Sequence, residues 1–130
     1  MITFCANLDA ATASRLLIEA VAAQGMGLVG HIDGQANAAK RGVTVEADQI
    51  LEVFRPDFAV RVWQAEKCAG IDIPLRIHIY AAAGKTHIAM RSAHTVFAPY
   101  CNLELNKIAD ELQPIFDNIL ACLTPYKEPI

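Results

Sequence analysis

Most of the residues able to do chemistry fall in two stretches, "LRIHIY" at 75–80 and "KTHIAMR" at 85–91. In both, apolar and polar positions alternate: Leu75, Ile77 and Ile79 against Arg76, His78 and Tyr80, then Ile88 and Met90 against His87, Ala89 and Arg91. A period of two sends successive side chains to opposite faces of a sheet, so Arg76, His78, Tyr80, His87 and Arg91 share one polar face. Like charges set opposite each other on a sheet repel, so Arg76 and Arg91 call for an anion between them. That anion is either a ligand or a protein carboxylate such as Glu52 or Asp33. His78 adds an imidazole that titrates near neutral pH. Three readings of this face stand side by side: the solvent side of a half-buried sheet, a dimer interface, and a site for a small ligand.

Other constellations are weaker. "GMGLVG" at 25–30 matches G-x-G-x-x-G, and Asp48 follows near the distance of a ribose-binding acid. A dinucleotide loop needs a strand before the glycines and a helix after them. Here the strongest helical pattern of the first half precedes Gly25 and an extended segment follows, so no nucleotide cofactor is expected. His31 and Asp33, two apart on one strand face, permit an oriented acid–base pair. The four histidines lack the close spacing of a zinc motif, so no metal is expected. Ser14 and Ser92 have no activating setting. Cys5, Cys68, Cys101 and Cys122 are scattered without a C-x-x-C. They read as reduced thiols in packing roles, with Cys68 singled out by the cation of Lys67 beside it.

The elements that position these residues follow from period and punctuation. "ITFCA" reads as a strand. Ala13, Leu16, Leu17, Ala20 and Val21 then form one face of a helix capped by Asp9 and stopped by Gly25. "GLVGHID" is extended, "QANAAKRG" is a short helix closed by Gly42, and "QILEVF" is a strand. "FAVRVWQAEKCAG" fits helix or strand by pattern, and its Ala, Gln, Glu and Lys favour helix, with Val60 and Trp63 off the core stripe. The two alternating stretches form a hairpin. An even loop pairs Ile77 with Met90 and Ile79 with Ile88, and a four-residue loop places Gly84 rather than an alanine in the left-handed region. From Leu105 to Leu123 apolar residues keep helical spacing, with Pro114 either bending the helix or opening a second segment.

Composition bounds the rest. The 130 residues, 54% hydrophobic with a net charge of -3, suit one domain spanning 1–130 and offer no basic field for nucleic acid. The longest uncharged window, Ala20 to Ile32, is too short to span a membrane. The first cation is Arg15, so the N-terminus does not read as a signal peptide, and the expected compartment is cytoplasmic.

"GMGLVGHIDGQANAAKRG", "ILEVFRP", "IDIPLRIHIY" and "GKTHIAMR" resemble the DUF302 family, a domain of unknown function, over roughly Gly25 to Arg91. The resemblance implies a small α+β domain in which Gly25 precedes a strand and Asp33 is the family's acid. It also makes Pro56 the family's proline, and Pro74, Leu75 and Arg76 a strand start. Gly34 stands where the family has His, and Phe54-Arg55 replace its Gly-Asn. Members are best known as homodimers. The expected fold is one α+β domain of order β-α-β-α-β-α-β-β-α, mainly antiparallel, with the first and last helices on one face of the sheet. The expected function is a homodimeric, non-enzymatic binder of a small anionic ligand. Its contacts would be Arg76, His78 and Arg91, with Asp33, Arg55 and His31 nearby. The alternatives are a small enzyme using His31 or His78 as general acid–base, and a structural assembly partner.

Overall fold

The computed structural model describes residues 1–129. Strand β1 (Ile2–Ala6) leads to helix α1 (Ala10–Ala23), whose first turn is closed by the Asp9 carboxylate accepting from Thr12 N at 2.7 Å. Gly25, at φ +71°, takes the left-handed turn that frees the chain for β2 (Gly27–Asp33). Asp33 ends that strand and caps the short α2 (Gly34–Ala39), its carboxylate accepting from Ala36 N at 2.9 Å. Then come β3 (Asp48–Phe54) and α3 (Pro56–Ala65), with Pro56 in the first turn where no amide hydrogen is needed. The ambiguous stretch is therefore helix as far as Ala65 and a 3₁₀ segment over Lys67–Asp72.

Strands β4 (Leu75–Ala82) and β5 (Lys85–Met90) form the hairpin. Ile77 pairs with Met90 and Ile79 with Ile88, as the parity of the loop requires. The loop has two residues rather than four: Ala83 and Gly84 carry it at φ 52° and 75°, so an alanine does enter the left-handed region. Two successive positive φ values match the twist of the flanking strands, which outweighs the local cost at Ala83. A short α4 (Ala93–Phe97) and a 3₁₀ turn over Ala98–Tyr100 follow, neither of them foreseen. The last helix, α5 (Leu103–Leu120), is capped by Asn102 and runs unbroken through Pro114, so no second helix starts there. The chain closes through a 3₁₀ segment over Ala121–Tyr126.

The sheet is fully antiparallel in the order β1-β5-β4-β3-β2. Leu51, Val53, Leu75, Ile77, Ile79, Ile88 and Met90 point to one face and are at most 2% exposed. They meet Leu17 and Val21 of α1 and Leu105, Ile108, Leu112, Phe116 and Ile119 of α5 in a single core. Burying each such side chain is worth about 1.5–3 kcal/mol, so this two-layer contact is the main stabilising term. Among the described residues, the long helices α1 and α5 both pack on that face and leave the opposite face of the sheet uncovered. At one edge the chain's tail returns to β1: Lys127 bridges Ala6, Asn7 N donates to Tyr126 O at 2.7 Å, and Glu128 N donates to Cys5 O at 3.0 Å.

Candidate functional site

Strand register arranges the uncovered face in transverse rows. One row reads Cys5, His87, Tyr80, Asp48 across β1, β5, β4 and β3. The next reads Thr3, Ala89, His78, Ile50, Ile32. The third contains Arg76, Glu52 and Gly30, with Arg91 one residue beyond the end of β5.

Along the first two rows the aromatic rings stack. His78 lies 4.5 Å from Tyr80 and Tyr80 lies 4.8 Å from His87, centroid to centroid. His78 Nε2 is 2.8 Å from Asp48 Oδ1, so this carboxylate orients the imidazole. His87 Nε2 is 3.1 Å from Ala82 O. A carbonyl only accepts, so Nε2 carries the hydrogen and Nδ1, 3.5 Å from Cys5 Sγ, is left as an acceptor for the thiol hydrogen.

In the third row Arg76 Nε is 3.5 Å from Glu52 Oε2. A Cβ at Gly30 would collide with the Glu52 carboxylate, so the glycine is what lets that side chain fold back over β2. Gly27 is similar: a Cβ there would come within 3.1 Å of the Phe54 carbonyl. Arg91 is exposed and, among the described residues, has no carboxylate within 4.0 Å. Arg76, His78, Glu52 and Arg91 line one wall of a cleft of about 670 Å³, and Ile71, Ile73, Pro74, Val96 and Pro99 line the other. Asp72, also at the cleft, accepts from the Tyr100 hydroxyl, and this holds the phenol protonated up to about 12.

Arg76, His78 and Arg91 thus come together, while the three residues expected beside them do not. His31 and Asp33 do share a side of β2, but their partners Leu51 and Gln49 put that side toward the helices. There His31 Nε2 meets Gln49 Oε1 at 2.7 Å, and the same oxygen accepts from Ser14 at 2.8 Å. Arg55 is engaged by Asp57 through Nε and Nη2 at 2.7 and 3.1 Å, and its guanidinium lies over Phe58. That contact raises the Arg55 pKa and lowers that of Asp57.

Two of the thiols, Cys68 and Cys101, depart from the expected packing role, while Cys122 packs against the core. Cys68 and Cys101 are exposed, and Cys5 and Cys122 are half-buried. Lys67 does not activate Cys68, because its ammonium sits over the Trp63 ring. The Cys68 thiol instead donates to Glu66 at 3.4 Å, which pushes its pKa up. Burial does the same to Cys122. The juxtaposition of Cys5 with His87 was not legible, because no turn joins β1 to β5 and so nothing local sets their register.

No helix among the described residues is long and apolar enough to cross a membrane. No curated protein matches this chain. The crystal structure of an uncharacterized conserved protein DUF302 from Bacillus stearothermophilus has a similar fold, with a TM-score of 0.79 at 22% identity, covering 95% of this chain and 94% of that one. The family profile described as Domain of unknown function DUF302 matches residues 2–123, from β1 to the turn after α5. The resemblance first visible between Gly25 and Arg91 therefore extends over nearly the whole chain, which belongs to the DUF302 family.

Proposed function

We propose that this is a homodimeric, non-enzymatic cytoplasmic domain that binds a small anion in the cleft beside β4. The observation that carries the reading is Arg91, an exposed guanidinium without a carboxylate partner among the described residues, lining the same cleft as Arg76 and His78. Arg76 is held only loosely by Glu52, its side chain 65% exposed, so it is able to turn to a guest. A planar guanidinium recognises carboxylates and phosphates through paired hydrogen bonds.

Calorimetric titration with phosphate and with simple carboxylates tests this. Wild-type protein binds at least one of them, and Arg91→Gln weakens that binding about ten-fold or more, since a charge-assisted hydrogen bond is worth roughly 1.5–3 kcal/mol. Absence of binding at millimolar anion, or equal binding by the variant, sinks the reading. Sedimentation at micromolar concentration checks the dimer, and a monomer there counts against it.

A second reading, a small enzyme with His78 as general acid–base, draws on the Asp48 carboxylate 2.8 Å from His78 Nε2. His78→Gln separates the two: a binder loses affinity for the anion and has no turnover to lose, and an enzyme loses turnover of whatever substrate a screen returns.

A further inference from the structure

At the end of the uncovered face away from the cleft, Cys5 and His87 are directly opposed across β1 and β5. We propose that Cys5 is a nucleophilic thiol with His87 as its base, and that it exchanges with low-molecular-weight disulfides to form a mixed disulfide. The arrangement has the three parts an activated nucleophile needs. Cys5 Sγ is 3.5 Å from His87 Nδ1. The tautomer that leaves Nδ1 able to accept is held by Ala82 O, 3.1 Å from Nε2. The ring cannot swing away easily, since it lies nearly parallel to Tyr80 at 9°, and Tyr80 is backed in turn by His78 and Asp48.

The other thiols have no such setting. Cys68 faces a carboxylate that stabilises its protonated form, and burial does the same for Cys122. Cys101 is exposed, and among the described residues no side chain hydrogen-bonds its thiol. Cys68, Cys101 and Cys122 also belong to the helical layer, in or beside the segments Lys67–Asp72, Ala98–Tyr100 and Ala121–Tyr126, and all four thiols are unbridged. The product is therefore a mixed disulfide rather than an internal one.

The exchange balances within these groups. The Sγ proton moves to His87 Nδ1, and the thiolate attacks one sulfur of the small disulfide. The bond from Cys5 Sγ to that sulfur forms as the original S–S bond breaks. The departing thiolate takes the proton back from Nδ1. Cys5 is oxidised as the leaving half of the disulfide is reduced, so no further oxidant is needed. An incoming thiol reverses the step.

The test is the rate of reaction of the folded protein with dithiodipyridine, with each cysteine followed by peptide mapping. Cys5 is expected to react first, at least about ten times faster than the more exposed Cys101, a margin below the usual contribution of a positioned base. His87→Gln is expected to slow Cys5 by a similar factor while the rates at Cys101 and half-buried Cys122 hold. A Cys5 no faster than Cys101, or one indifferent to His87→Gln, overturns the proposal. Faster Cys122 in the variant would report a loosened fold, and the wild-type ranking together with Cys5→Ser then decides. The fast phase must disappear in Cys5→Ser, and its persistence overturns the assignment.

Discussion

At position 30 a methyl group would meet the Glu52 carboxylate, which must swing aside to admit it. Gly30→Ala should therefore cost no more than about 1 kcal/mol in a urea melt, since the clash is met by a flexible side chain and partly offset by the loss of a glycine from the strand. The penalty should shrink in a Glu52→Ala background, and equal penalties in the two backgrounds would show that Glu52 is not the obstacle. A second prediction concerns Tyr100, whose hydrogen bond to Asp72 holds its phenol protonated to about 12. Of the three tyrosines, one should ionise late in an ultraviolet titration, and Tyr100→Phe should remove that late step. What the residues disclose in advance depends on how far the relevant contact lies along the chain. The alternation in "LRIHIY" places Arg76 and His78 on one face because the period is local. Asp33 and His31 fall on the other face because they pair with Gln49 and Leu51, a register of β2 against β3 that is set across the long connection through α2 and that no local pattern announces. The glycines of "GMGLVG" are explained by neighbours, Glu52 and the Phe54 carbonyl, that only the folded sheet supplies.

Among the elements, the hairpin is where sequence reasoning worked best and where its one error is instructive. Parity alone set the pairing of Ile77 with Met90, because a slip by one residue would turn every isoleucine to the uncovered face. The loop length could not be settled that way, since two and four residues give the same register, and preference for glycine in the left-handed region pointed to the longer one. Ala83 accepts that region instead. Ala83→Gly should then stabilise the domain by about 1 kcal/mol, the usual strain of a side chain there less the added freedom of the unfolded chain. An unchanged or lowered Tm would mean that Ala83 is not strained. The short α4 escaped notice for another reason: five residues give less than two turns of periodicity, and its cap, Ser92 Oγ accepting from Thr95 N at 3.1 Å, is a weak signal by itself. The strong periodicity of α5 carried through Pro114, whose ring lies on the exposed side of the helix.

For the molecule as a whole, the polar contacts around the core predict how stability follows pH. Hydrogen bonds from Thr12, Arg55 and Arg61 hold the carboxyls of Asp9, Asp57 and Glu111 below their usual range. A carboxyl whose folded pKa is depressed contributes stability that is present above its unfolded value and is lost as pH falls through the folded one. The urea midpoint should hold from neutrality to about pH 4 and decline below it. Asp57→Asn should flatten that decline, by a modest amount because these pairs are exposed and salt-screened. Tyr100 acts in the opposite direction. Its raised pKa contributes stability below 10 that disappears as pH rises toward about 12, so Tyr100→Phe should lose that alkaline dependence. The tail that pairs with β1 has a further consequence. Glu128 lies beside Cys5, only four residues from Met1, or about 13 Å of extended strand. The two ends of the described chain are thus near neighbours. A linker of about five residues would join them, and new termini could be opened at Ala83-Gly84, giving a circular permutant that keeps every strand of the sheet in its place.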